Sequence, residues 1–105
     1  MLTVTVTPRA DVDVYGLLVK KEVELRKSGR GTLRRRGDKR RGTDKWVHSS
    51  YPGWIRYQQC LGGVAVATIQ SKTTRDEWQL LSSFVGFLDR HFRSQIRSVT
   101  ISYPD

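Results

Sequence analysis

The stretch TRDEWQLLSSFVGFLDRHFRS, residues 74–94, decides the fold. Thr74 and Glu77 stand at the spacing of a capping box, in which a hydroxyl accepts an amide of the first helical turn and a carboxylate reaches back to the cap amide. From there Trp78, Leu81, Val85, Leu88 and Phe92 recur every three or four residues, and Leu80, Phe84 and Phe87 widen the same stripe. Arg75, Gln79, Ser82, Ser83, Gly86, Asp89, Arg90 and Arg93 fall on the opposite side. The pattern predicts one long helix with a broad aromatic face, and such a face needs a sheet beneath it.

Working outward, the sequence supplies strands on both sides of this helix. Residues 2–7 alternate Leu2, Val4 and Val6 with three threonines, a half-buried strand ended by Pro8. Residues 98–103 alternate Val99, Ile101 and Tyr103 with Ser98, Thr100 and Ser102, a closing strand ended by Pro104. Residues 11–27 carry both periods, since Val12, Tyr15, Val19 and Val23 suit a helix while Leu17, Val19, Val23 and Leu25 suit a strand. The four valines and Gly16 favour the strand. Residues 28–31, rich in glycine, read as a turn into 32–36, the basic second arm of a hairpin, and residues 37–43 read as a mobile loop without apolar side chains.

Residues 45–49 resume as a strand, and Pro52-Gly53 occupies the centre of a type II turn. Residues 54–61 and 64–70 form two further strands about a two-residue Gly62-Gly63 turn, which places Cys60 on the face of Ala65 and Ala67; a bulge reverses that parity. The fold class is α+β: one domain over 1–105, with a twisted, mostly antiparallel sheet of five or six strands, one long C-terminal helix on one face, and a closing strand. Strand 64–70 is apolar on both sides, so a homodimer is expected as the economical cover.

Charge supplies the functional clue. The 105-residue chain has net charge +9, and residues 26–45 hold ten Lys and Arg against Asp38 and Asp44, so +8 of it lies in one basic hairpin and loop. Guanidinium groups at this density suit phosphate neutralisation, and arginine also stacks on bases. The candidate contacts are Arg30, Arg34, Arg35, Arg36, Lys39, Arg40, Arg41 and Lys45. Trp46, His48, Tyr51, Trp54 and Tyr57 follow directly, and Trp46 and Trp54 are candidate stacking platforms for unpaired bases. On two-residue turn geometry Trp46, His48 and Tyr57 share one face while Tyr51, Trp54 and Arg56 share the other, so one set is expected to lie away from the helix as a ligand platform or a dimer interface.

The expected function is non-catalytic, weakly sequence-specific binding of DNA or RNA; the alternative is an interaction module or inhibitor that engages an acidic protein. Catalysis ranks last, because Cys60 with His48 or His91 carries no local signature of a nucleophile and its base. Two distant histidines and one cysteine predict neither a metal site nor a disulfide, and the glycines lack P-loop spacing, so no cofactor is expected. The alternating N-terminus is not a signal peptide and no run is long enough to span a bilayer, which predicts a cytoplasmic protein without a membrane partner.

Overall fold

In a computed structural model of the chain the elements run β1 (Leu2–Pro8), α1 (Val14–Lys27), β2 (Leu33–Arg36), β3 (Lys45–His48), β4 (Trp54–Gln59), a 3-10 turn (Leu61–Gly63), β5 (Ala65–Gln70), α2 (Thr74–Phe92) and β6 (Ile96–Ser102). The structure describes residues 1–10, 12–36 and 45–104, and of Gln59 the backbone alone. The expected loop at 37–43 lies outside the described residues. The six strands form one sheet in the order β2-β3-β4-β5-β1-β6, every neighbouring pair antiparallel. The N-terminal strand β1 lies between β5 and β6, so α2 passes over it on the way to the closing strand. The α+β class, the antiparallel sheet, the long helix and the closing strand are as the sequence predicts.

The expected strand over 11–27 is instead a second helix. Asp13 caps it, its carboxylate accepting the amide of Gly16 at 3.2 Å, and Val14, Tyr15, Leu18 and Glu22 are buried one turn apart. Of the four valines that favour a strand only Val14 is buried, while Val19 and Val23 are half-buried on the flank. Burial of Val14, Tyr15 and Leu18 outweighs the few tenths of a kcal/mol by which β-branched residues disfavour a helix. The basic segment 33–36 is accordingly the first arm of a hairpin with β3, not the second arm of one with 11–27.

α2 also differs from its sequence reading at its start and along its flank. Its cap is Thr73, whose hydroxyl accepts the amide of Asp76 at 3.1 Å; Thr74 is the first helical residue, and Glu77 meets the Met1 amino group at 2.7 Å. The buried stripe is Leu80, Leu81, Phe84, Phe87, Leu88 and Phe92, while Val85 is half-buried and Trp78 is 57% exposed. The packed stripe is therefore rotated away from Trp78.

Both helices lie on one side of the sheet. Tyr57 of β4 settles this, since its ring contacts Tyr15 of α1 at 5.3 Å and Phe84 of α2 at 5.5 Å between centroids. Burial among these rings pushes the Tyr57 hydroxyl well above its ordinary pKa. Alternation then fixes the rest of the inner face, where Leu2, Val4, Val6, Leu33, Trp46, Ile55, Ala65, Ala67 and Ile69 are buried. The β4–β5 turn has three residues, not two. Gly62 and Gly63 both take positive φ, Cys60 donates its amide to Val64 at 2.7 Å, and Tyr57 stands opposite Ala67. That extra residue reverses the expected parity and turns Cys60 away from the side of Ala65 and Ala67. Neither helix is long and apolar enough to cross a membrane.

Candidate nucleic-acid interface on the open sheet face

The side of the sheet away from the helices has no cover among the described residues, and its chemistry changes from one edge to the other. Over β1 and β6 it presents Thr3, Thr5 and Thr7 beside Ser98, Thr100 and Ser102. Over β2, β3 and β4 it presents Arg34 and Arg36, Lys45 and Val47, then Trp54, Arg56 and Gln58. The register aligns three of these cations, because Arg36 stands opposite Lys45 and Lys45 opposite Arg56, and the same row continues through Thr68 and Thr3 to Ser102. Adjacent strands are about 4.8 Å apart, so the row sets three positive side chains on neighbouring rungs.

Nothing on that face balances them among the described residues. Their carboxylates all belong to the helices and the α1 cap: Asp13, Glu22, Glu24, Asp76, Glu77 and Asp89. The ion pairs of Lys21 with Glu24, Arg26 with Glu22 and Arg93 with Asp89 are likewise on the helices. Like charges directly opposite one another across a strand pair destabilise a sheet. Lys45 finds partial relief over the half-exposed Trp54 ring, with Nζ 4.8 Å from its centroid. At the β2 edge Arg34 Nη1 donates to the carbonyl of Arg30 at 3.0 Å, and Arg30 is held by its own amide on Leu25 O at 2.8 Å. This ties the turn after α1 to the cationic face.

The sequence-predicted contacts are divided by this geometry. Arg34, Arg36, Lys45 and Trp54 share the open face, and Arg30 stands exposed at its rim. Arg35 is on the opposite face, half-buried across from Trp46, so the Arg34-Arg35-Arg36 triplet does not act as one block. Trp46 is fully buried, edge-on to Tyr57 at 5.2 Å, and is no platform for a base. Lys39, Arg40 and Arg41 lie outside the described residues. Arg56 was signalled in the sequence only as a neighbour of aromatic residues; strand register is what makes it a member of the row.

The aromatic set also regroups. Tyr51 leaves Trp54 and Arg56 and stacks on His48 at 4.5 Å, because residues 49–53 form a turn in which strand parity no longer applies. His48 Nδ1 accepts the amide of Ser50 at 2.9 Å, and burial lowers the His48 pKa below its ordinary 6.5. Cys60 and His48 sit at opposite ends of the β3–β4 pair, about 20 Å apart by strand rise. His91 packs edge-on to Phe87 at the end of α2. Among the described residues no three His, Cys, Asp or Glu side chains gather to hold a metal ion. Comparison with the models of known families, with curated proteins and with solved structures finds no match for this chain.

Proposed function

We propose that the protein is a non-catalytic nucleic-acid-binding domain that lays a strand of DNA or RNA across the open face of its sheet, over β2, β3 and β4. The observation that carries the reading is the Arg36–Lys45–Arg56 row, three cations in register on adjacent strands with no carboxylate on that face among the described residues. Phosphates relieve this repulsion and gain counterion release in return. Trp54, held beside Lys45, offers a ring on which a base stacks, and Gln58, Thr68 and Gln70 add neutral donors and acceptors on neighbouring strands. No base-specific fork is built into the row, so recognition is weakly sequence-dependent. A second copy covering this face would set two cationic rows against each other, which argues for a polyanion there rather than a homodimer.

Fluorescence anisotropy with a labelled single-stranded oligonucleotide at physiological salt tests the proposal. Replacing Arg36, Lys45 and Arg56 together with serine is expected to weaken binding strongly without lowering the melting temperature. Trp54→Ala is expected to cost about 1 to 3 kcal/mol of single-strand affinity. If the wild-type protein binds polyglutamate more tightly than any oligonucleotide, an acidic protein is the partner and the nucleic-acid reading is wrong.

A further inference from the structure

The two edges of the sheet are not alike. β2 is four residues long and carries Arg34 and Arg36, the kind of short, charged edge that resists pairing with another chain. β6 is seven residues long, its only charged residue is Arg97, and among the described residues its outer side pairs with no other strand. Beside that edge, between α2 and β6, runs a groove in two adjoining parts of about 220 and 460 Å³. Leu81, Val85, Val99 and Ile101 form its apolar floor, and Gly86 leaves open space on its helical wall. At one end Trp78 and Tyr103 stand 57% and 66% exposed. An unprotected backbone edge and an apolar groove in the same place are both satisfied by one added strand.

We infer that this strand is β6 of a second copy, paired antiparallel about a two-fold axis near Thr100 so that two sheets become one of twelve strands. Three features select this occupant. A two-fold axis normal to the sheet opposes residues of equal parity, so Val99 meets Ile101 on the helical side, while Ser98 meets Ser102 and Thr100 meets its own copy on the open side. Apolar then faces apolar and hydroxyl faces hydroxyl. Charge points the same way: each chain carries +9 and the described cationic row lies at the far edge of the sheet, whereas α2, the turn after it and β6 hold Arg75, Arg90, Arg93 and Arg97 against Asp76, Glu77 and Asp89, close to balance. The β6 edge is therefore where two copies approach with least repulsion. The small Ser82 and Gly86 also leave the outward side of α2 low enough for the partner's Trp78 to settle against it.

This interface is independent of the polyanion site and is tested without nucleic acid, by sedimentation equilibrium at micromolar concentration and high salt. The wild-type chain is expected to show a reversible monomer–dimer equilibrium. Thr100→Lys puts two lysines opposite each other at the axis from an exposed position, and should weaken the dimer about ten-fold. Trp78→Ser should weaken it through the groove, and decides the matter if Thr100→Lys disturbs the circular dichroism spectrum. In the dimer, hydrogen exchange should slow at alternate amides of β6 as protein concentration rises. A monomer throughout the range, or a dimer whose dissociation constant neither substitution changes, overturns the inference.

Discussion

Trp78 and Phe84 belong to one helix, and their surroundings set their energetic roles. Phe84 is fully buried against Tyr57, whereas Trp78 is 57% exposed beside the α2–β6 groove. Phe84→Ala is expected to cost about 3 to 5 kcal/mol, and Trp78→Ala under about 1 kcal/mol in the monomer, in chemical denaturation. Periodicity could not separate the two, because a stripe eight residues wide exceeds what one sheet face covers, and hydrophobicity does not say which flank is left outside. Histidine titration gives a second prediction at this scale. Burial lowers the His91 pKa, and the positive charges of Lys21 and Arg90 lower it further, with Arg30 and Arg9 lining the adjoining clefts; burial lowers that of His48 too. The unfolded chain therefore binds more protons than the folded one just below the ordinary 6.5. Stability is complete above that value and declines as pH falls toward and through the folded pKa values. Denaturant midpoints measured between neutral pH and about pH 5 should fall for the wild type and fall less for His91→Gln; equal slopes would contradict the assignment.

At the scale of elements, β1, β6 and α2 were legible because each repeats a single period, while α1 was not because it repeats two. What resolves α1 is its cap and its tertiary burial: the Asp13 carboxylate on the Gly16 amide, and Tyr15 and Leu18 against the sheet. Asp13→Ala and Thr73→Ala should each cost about 1 kcal/mol, while Thr74→Ala, one residue inside α2, should cost a few tenths. Thermal melts of the three variants distinguish this from the capping box that the sequence alone implies. Turn length was the other illegible quantity. Gly62-Gly63 announces a turn but not its residue count, and one added residue moved Cys60 to the opposite face. Gly53 was read correctly as a turn glycine, and its φ of +112° comes with crowding, since a β-carbon there would sit 2.8 Å from both Leu80 Cδ1 and Ser71 Cβ. Gly53→Ala should therefore destabilise by more than the usual 1 kcal/mol or so of a glycine substitution.

For the whole molecule, the charge asymmetry visible in the sequence becomes a gradient across one sheet: cations and Trp54 over β2, β3 and β4, hydroxyls over β1 and β6, helices behind. The sequence located the charge but not its order, because only register brings Arg36, Lys45 and Arg56 into one row and sends Arg35 to the other side. If that row is where a nucleic-acid strand lies, binding must carry the electrostatic signature of those three side chains. The most direct test is the slope of log affinity for a single-stranded oligonucleotide against log salt, measured for the wild type and for the Arg36→Ser, Lys45→Ser, Arg56→Ser triple variant. Each phosphate neutralised contributes about −0.7 to the slope, so the variant should bind more weakly with a slope shallower by about 2. A wild type that binds with a steep slope which the triple variant retains would contradict the account, placing the contact elsewhere on this basic chain.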